Sequence, residues 1–151
     1  VTHNQKKVFF KKFIYEYCTT SKKSALRGFH FQKKYQQAKY VSVLKGKILD
    51  CVVDLRKNSK TFGESFKIIL SEKNCLGLYI PEGFAHGYFS YDKENIIYYK
   101  LSNYYQPKFE DGIYIKDKTL DIKWPLRKHL ISNKDKKLNS FQFFKRKHRG
   151  L

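Results

Sequence analysis

Two short apolar runs meet at a turn in the stretch Leu76-Gly77-Leu78-Tyr79-Ile80-Pro81-Glu82-Gly83-Phe84-Ala85-His86-Gly87-Tyr88-Phe89-Ser90-Tyr91. Short runs rich in branched and aromatic side chains predict strands, because such side chains pack well on a pleated surface. A Pro-x-Gly sequence predicts a turn, because proline and glycine interrupt regular structure. The stretch therefore predicts two strands, Leu76–Ile80 and Ala85–Tyr91.

The same alternation of runs and turns extends along the chain in both directions. It predicts further strands at Ala38–Leu44, Ile48–Leu55, Glu64–Leu70 and Asn95–Leu101, and weaker ones at Ile113–Ile115 and Asp121–Ile122. The last of the stronger strands is predicted to pair with Ala85–Tyr91 as a hairpin. One short helix is predicted over Asn4–Tyr15. Strands at such regular spacing are typical of an all-β sandwich or barrel.

The composition is that of one folded domain. The chain has 151 residues, of which 41% are hydrophobic and 17% aromatic, enough for a core of its own. Its apolar stretches are too short for a membrane span, and no signal-peptide pattern opens the sequence. The odd number of cysteines argues against a full disulfide framework. We therefore predict Cys51 and Cys75 to be buried thiols in a cytoplasmic protein.

The charge is strongly positive. Lysine and arginine number 32 against 13 aspartates and glutamates, a net charge of +19. A basic protein attracts anions such as nucleic acids, anionic membranes and phosphorylated small molecules. A lysine-rich solvated surface explains the charge equally well. No DNA-binding motif is present, and the aromatic residues follow strand periodicity, so we expect neither nucleic acid nor membrane as a partner. A nucleic-acid-binding protein remains the alternative that the charge suggests.

Two of the five histidines lie in an unusual setting. His30 and His86 are flanked by aromatic residues and glycines, whereas His3, His129 and His148 lie among lysines and are predicted to be solvated. An imidazole can act as a general base near neutral pH. A core histidine bonded to a carbonyl is the competing interpretation of each.

The spacing Pro81-x-Gly83-x-x-His86 resembles the second motif of the cupin barrels. Metal-binding cupins carry His-x-His in the first motif, where this chain has His30-Phe31-Gln32. A zinc or iron site needs three or four protein ligands, and only two are plausible here. We therefore expect no bound metal.

Several segments resemble, in order and at consistent spacing, the dTDP-4-dehydrorhamnose 3,5-epimerase family. They are Ser21–Gln32, Gln37–Lys39, Gly46–Arg56, Ser59–Gly63, Ile80–Gly87, Tyr99–Lys100, Asn103–Tyr105, Trp124–Pro125 and Ile131–Asp135. The resemblance implies one cupin-like jelly-roll domain over residues 1–151 with short peripheral helices, a homodimer, and no cofactor or metal. It also implies that the chain begins beyond an amino-terminal segment that members of the family usually carry.

The implied reaction is epimerisation at C3, C5 or both of a nucleotide-activated 4-keto-6-deoxy sugar, through an enolate. By this resemblance His30 is the base, and Asp135 orients its imidazole. Tyr99 returns a proton on the opposite ring face, and Lys39 lies beside the 4-oxygen, where positive charge stabilises the enolate. Read without the resemblance, Asp135 is a solvated charge and Tyr99 an ordinary strand aromatic.

The resemblance also implies a set of substrate-binding residues. They are Arg27 and Lys134 at the diphosphate or sugar, Tyr105 and Glu110 at the nucleotide and sugar, His86 as a second pocket histidine paired with Asp50, and Lys39. Tyr98 is predicted to be structural, as are Asp54 and Arg56, which we expect to form a salt bridge.

One segment departs from the family pattern. Members often show Gln-x-Asn ahead of the Ser-Lys stretch, where this chain has Tyr15-Glu16-Tyr17. The identity of the nucleotide and sugar is therefore left open. The alternative function is a cupin-like module that binds a nucleotide sugar without turnover.

Overall fold

A computed structural model describes residues 11–126 and 128–151. Its strands and helices are, in chain order, β1 (Tyr15–Lys22), β2 (Ala25–Gln32), β3 (Lys39–Lys45), β4 (Lys47–Asp54), β5 (Ser65–Ser71), β6 (Gly77–Ile80), β7 (Phe84–Ser90), β8 (Glu94–Leu101), a 3-10 turn (Pro107–Phe109), β9 (Glu110–Gly112), β10 (Leu130–Ile131), α1 (Asn133–Lys136) and α2 (Phe141–His148). Neither helix in residues 11–126 and 128–151 has the length and hydropathy of a membrane-spanning segment.

The strands form two sheets. The smaller sheet has the order β1-β8-β3-β6, and the larger has the order β10-β2-β7-β4-β5, with β9 also paired to β2. The pairing is antiparallel except between β10 and β2. The two sheets face each other across a shared apolar cluster. This is the predicted all-β, cupin-like jelly roll with short peripheral helices, and that prediction is confirmed.

The central strands of the larger sheet, β2, β7 and β4, are buried on both faces, and β4 shows how. Ile48 and Val52 point toward the smaller sheet, into a cluster with Val41 and Ile97. The alternate residues Cys51 and Val53 point the other way, into a second cluster closed by the segment from Ile113 to the end of α2. A strand covered on both faces needs apolar residues on both, and β4 has them at five of its eight positions. The site described below opens from the first of these clusters.

The six stronger strand predictions are confirmed, each within one residue of its predicted ends. The predicted hairpin between Ala85–Tyr91 and Asn95–Leu101 is wrong. β7 lies between β2 and β4 in the larger sheet, while β8 lies between β1 and β3 in the smaller one. The physical reason is that β7 buries residues on both faces, Phe89 against the carboxy-terminal segment and Tyr88 toward the smaller sheet, and only the larger sheet offers both coverings.

The helix predicted over Asn4–Tyr15 is also wrong in the part that the structure describes. Residues 11–14 form no regular element, Tyr15 begins β1, and the rest of the predicted helix lies outside the described residues. β1 and β2 were not predicted as strands. Ile113 makes one isolated bridge with Asn139, and the short strand lies just before it. Asp121–Ile122 forms no strand, since Asp121 lies in a turn.

The environments of the cysteines and histidines differ in part from the expectations. All three cysteines are free; Cys51 is buried, as predicted, but Cys75 is exposed, because it follows a tight turn at the end of β5. His129 and His148 are partly buried rather than solvated, because their rings pack on Phe89 and Phe144. His3 lies outside the described residues.

Candidate active site

A bulge in β2 aims two of the predicted residues into the space between the sheets. Arg27 is paired with Tyr88 and His30 with His86, so β2 spans three positions where β7 spans two. Residues three positions apart on a regular strand point to opposite faces. The extra residue of the bulge shifts this alternation by one, so the side chains of Arg27 and His30 both face the interior. Gly28, at φ +108°, makes this possible, because a Cβ there would lie 2.5 Å from the carbonyl oxygen of His86.

The first histidine is paired with a carboxylate from the far end of the chain. Nε2 of His30 lies 2.7 Å from Oδ1 of Asp135, and the two side chains are 29% and 1% exposed. Asp135 lies in α1, where its backbone N–H donates to the hydroxyl of Ser132. Burial acts to raise the pKa of Asp135, but the hydrogen bond and charge of His30 hold that pKa below its ordinary value. The carboxylate is therefore ionised beside the imidazole.

The second histidine is paired within the larger sheet. Nε2 of His86 lies 2.9 and 3.0 Å from the two carboxylate oxygens of Asp50, and the side chains are 6% and 0% exposed. The His86 ring meets the ring of Tyr99 edge to face, with centroids 5.9 Å apart. The predicted pairing of His86 with Asp50 is confirmed.

The smaller sheet contributes an amine and a phenol. Burial lowers the pKa of Lys39 to about 8, although the charges of Asp50 and Glu110 act in the opposite direction. Burial raises the pKa of Tyr99 well above its ordinary value. At neutral pH the site therefore holds a charged Lys39 that can readily lose its proton and a neutral Tyr99 phenol.

These side chains surround two connected spaces. The inner cavity, of about 80 Å³, is lined by Tyr17, Arg27, His30, Lys39, His86, Tyr88 and Tyr99. The mouth, of about 400 Å³, is lined by Tyr15, Tyr17, His30, Gln37, Leu101, Tyr105, Glu110 and Lys134. The structure thus places every predicted site residue at these two spaces, apart from Asp135, which stands behind His30.

The polar residues of the mouth form one cluster. Glu110 accepts hydrogen bonds from the hydroxyl of Tyr105 and from Nζ of Lys134, each at 2.5 Å. Burial acts to raise the pKa of Glu110, but these two bonds keep that pKa below its ordinary value. Deeper in, Nη1 of Arg27 donates to the carbonyl oxygen of Leu130 at 2.6 Å, which holds the guanidinium beside the inner cavity. Cationic groups are therefore available at both levels.

Two side chains that line the inner cavity, those of Tyr17 and Tyr88, were not predicted from the sequence. The ring of Tyr17 stacks on Tyr99, with centroids 5.0 Å apart and planes 13° apart. The hydroxyls of Tyr88 and Ser21 are hydrogen-bonded at 2.7 Å in the interior. The alternation of Tyr15 and Tyr17 is a weak strand signal for β1, but the predicted helix ended at Tyr15 and no element was predicted over the rest of β1.

The structural roles predicted for three residues are confirmed. Tyr98 points away from the cavity, and its hydroxyl donates to the carboxylate of Glu16. Arg56 and Asp54 form a salt bridge at 2.7 Å.

Across residues 11–126 and 128–151, no group of three or more His, Cys, Asp and Glu side chains could hold a metal ion.

Comparison with known proteins assigns the family. The family model described as dTDP-4-dehydrorhamnose 3,5-epimerase matches residues 2–142. An enzyme of that name from Methanothermobacter thermautotrophicus is 41% identical over 128 residues, 83% of this chain and 69% of the relative. One from Shigella flexneri is 41% identical over 124 residues, 82% and 68% of the two chains.

A solved structure agrees with these sequences. It is the dTDP-6-deoxy-D-glucose-3,5-epimerase of Legionella pneumophila in complex with dTDP-4-keto-L-rhamnose. The two chains superpose with a TM-score of 0.86 at 37% identity, over 89% of this chain and 72% of the other. The family match over residues 2–142 includes both sheets and Asp135.

Proposed function

The chain belongs to the dTDP-4-dehydrorhamnose 3,5-epimerase family, and from that premise we propose that it is an isomerase acting on a dTDP-4-dehydro-6-deoxy sugar. It inverts C3, C5 or both, the carbons on either side of the 4-keto group. The observation that carries the proposal is the His30–Asp135 pair, which opens onto a cavity that also holds Lys39 and Tyr99. Base, anion stabiliser and acid are then in one space.

The first step is removal of a proton by His30. A hydrogen on a carbon next to a ketone is acidic enough to be taken by a neutral imidazole when the resulting enolate is stabilised. The carboxylate of Asp135, 2.7 Å from one ring nitrogen, holds the ring in place and stabilises the imidazolium that forms. The proton is taken by the other ring nitrogen, and the C–H electron pair moves into the enolate.

The enolate oxygen needs a positive charge beside it. Lys39 lines the inner cavity on the sheet opposite His30, where burial strengthens its electrostatic effect. Its pKa of about 8 leaves the ammonium form predominant at neutral pH. We assign to Lys39 the stabilisation of the enolate.

The second step is return of a proton from the other side. Tyr99 lies on β8 of the smaller sheet and His30 on β2 of the larger one, so a sugar ring between the sheets meets them on opposite faces. The neutral phenol of Tyr99 can donate its proton to the carbon, which inverts that carbon. Tyr99 then regains a proton from solvent as His30 releases its own.

The remaining predicted residues bind the rest of the substrate. Arg27 and Lys134 suit the diphosphate, because cationic donors bind phosphate oxygens strongly. Tyr105 and Glu110, joined at 2.5 Å in the mouth, suit the nucleotide and sugar hydroxyls. His86 completes the wall of the inner cavity.

The proposal includes a cytoplasmic homodimer. Free thiols at all three cysteines are typical of a reducing compartment. Among the described strands, β1 is an edge strand of the smaller sheet, and a second chain that paired with its free backbone edge would cover it. Light scattering from the purified protein tests the dimer, and a mass equal to one chain would exclude it.

Incubation in heavy water tests the activity. The protein is mixed with several nucleotide 4-keto-6-deoxy sugars, and deuterium at C3 and C5 is mapped by NMR. We expect incorporation at one or both carbons of the dTDP sugar. Tight binding of the sugar with no deuterium at either carbon would instead support the alternative, a module that binds without turnover.

A further inference from the structure

Tyr17 is the structural partner of Tyr99. The two residues are directly opposite each other in the pairing of β1 with β8. Their rings stack at 5.0 Å with planes 13° apart, close to parallel. His86 meets a second side of the Tyr99 ring edge to face at 5.9 Å. The orientation of Tyr99 is therefore set by two neighbours, of which Tyr17 is the one at the sheet edge.

Tyr17 also stands at the passage between the two spaces. Among the described residues, Tyr17 and His30 are the two that line both the inner cavity and the mouth. They come from opposite sheets, β1 of the smaller and β2 of the larger. A sugar that moves from the mouth into the inner cavity therefore passes between the base and the Tyr17 ring.

The contact between the two tyrosines is a contact of neutral rings. Burial raises the pKa of Tyr17 to about 12, and that of Tyr99 is raised in the same way. Stacking stabilises an aromatic pair beyond the effect of its buried area. That is enough to favour one ring orientation while leaving the sheet stable without it.

We propose that Tyr17 is a positioning residue that holds the plane of Tyr99 and limits how far the sugar ring enters opposite His30. This inference rests on the proposed function. C3 and C5 lie on opposite sides of the ketone, so the depth of the ring and the direction of the phenol together decide which carbon receives a proton. A displacement of about 1 Å at a reacting group can cost 10²-fold in rate. Tyr17 would thus govern the ratio of C3 to C5 exchange.

Three variants test the inference in heavy water. Tyr17→Leu removes the stacked ring, Tyr17→Phe keeps the ring without the hydroxyl, and Tyr98→Leu removes a tyrosine from the outer face of the same strand as Tyr99. We expect Tyr17→Leu to lower kcat by about 10- to 100-fold and to change the C3 to C5 ratio. Tyr17→Phe and Tyr98→Leu should keep both near the wild-type values.

An NMR measurement gives a readout that does not depend on turnover. In protein labelled at tyrosine, the ring protons of Tyr99 should be shifted upfield by the ring current of Tyr17. That shift should disappear in Tyr17→Leu and persist in Tyr17→Phe. Tyr17→Thr, which suits an edge strand, takes the place of the leucine variant if the latter does not fold.

The outcomes distinguish the positioning role of Tyr17 from the proposed epimerase activity. A folded Tyr17→Leu with unchanged kcat and ratio would refute the positioning role and leave the epimerase activity standing. A Tyr17→Phe as impaired as Tyr17→Leu would also refute it, because the hydroxyl and not the ring would then be used. A wild-type protein that exchanges at neither carbon would refute the proposed function, and the role of Tyr17 with it.

Discussion

The two histidine–aspartate pairs are alike in chemistry and different in setting. His30 and His86 are directly opposite each other in the pairing of β2 with β7, and each lies within 3.0 Å of a buried carboxylate. His30 is 29% exposed at the passage to the mouth, whereas His86 is only 6% exposed. A carboxylate partner therefore does not by itself identify a general base, because the base must also be able to reach the substrate.

The origin of each carboxylate explains the contrast. Asp50 lies on β4, the sheet neighbour of β7, so the sheet itself brings it to His86. Asp135 is 105 positions from His30 in the chain and reaches it only because α1 packs against β2. The His86–Asp50 pair is therefore formed within the larger sheet, whereas the His30–Asp135 pair joins that sheet to the carboxy-terminal segment.

Replacement of His30 should have the largest effect on turnover. His30→Ala removes the proposed base, so exchange of deuterium into the sugar should fall by about 10²- to 10⁴-fold. The measurement is NMR of the sugar in heavy water under single-turnover conditions. Circular dichroism serves as the control for folding. Exchange at the wild-type rate would show that another group is the base.

Replacing Asp135 and Asp50 by asparagine, one at a time, should distinguish the roles of the two histidine–aspartate pairs. Asp135→Asn should lower kcat by about 10²- to 10⁴-fold, because an amide neither holds the correct imidazole tautomer nor stabilises the imidazolium. Asp50→Asn should lower kcat less, because its histidine does not exchange the proton. Steady-state kinetics of the two variants side by side test this order. The roles assigned to the pairs would be reversed if Asp50→Asn were the slower enzyme.

Stability should respond in the opposite order. His86→Ala leaves the fully buried Asp50 carboxylate without its partner, which should lower the free energy of unfolding by about 3–5 kcal/mol. His30→Ala should cost about 1–3 kcal/mol, because water from the cavity can reach Asp135 in place of the imidazole. Urea denaturation measures both values. Equal losses would mean that the two sites are equally closed to water.

The smallest effect should be a shift in the pH profile. Lys39 loses its charge as pH rises through about 8, so kcat/KM should fall above that pH. The negative charge of Asp50 raises the pKa of Lys39, so Asp50→Asn should move this limb to lower pH. Asp135→Asn is the matched control and should leave the limb in place. If Asp50→Asn did not shift the alkaline limb of the pH profile, titration of Lys39 could not be the cause of that limb.

Local sequence was sufficient for most of the strands. β4 carries apolar residues on both of its faces because both are buried, and such a segment is visible without any tertiary information. The turn at Pro81-Glu82-Gly83 separates β6 from β7 as predicted. β1 was missed because its polar, exposed residues lack a strong apolar pattern, and its stability comes from pairing with β8.

The candidate site was predicted in part, and for two different reasons. The glycines and aromatics around His30 and His86 mark both histidines directly in the sequence. Asp135, Lys39 and Tyr99 were predicted only through the resemblance to a family, since each is ordinary in its local context. Tyr17 was not predicted by either route, because its significance lies in the ring that it stacks on.

Six of the strands, the turns between them and the family could be predicted from the sequence, because each depends on residues close together in the chain. The placement of β7 and β8 in different sheets could not, and neither could the bulge at Gly28 that turns Arg27 and His30 to one side. Both come from the tertiary structure. It also decided which histidine remains open to a substrate. Such features depend on how segments that are far apart in the chain pack against each other. A local sequence pattern does not contain that information.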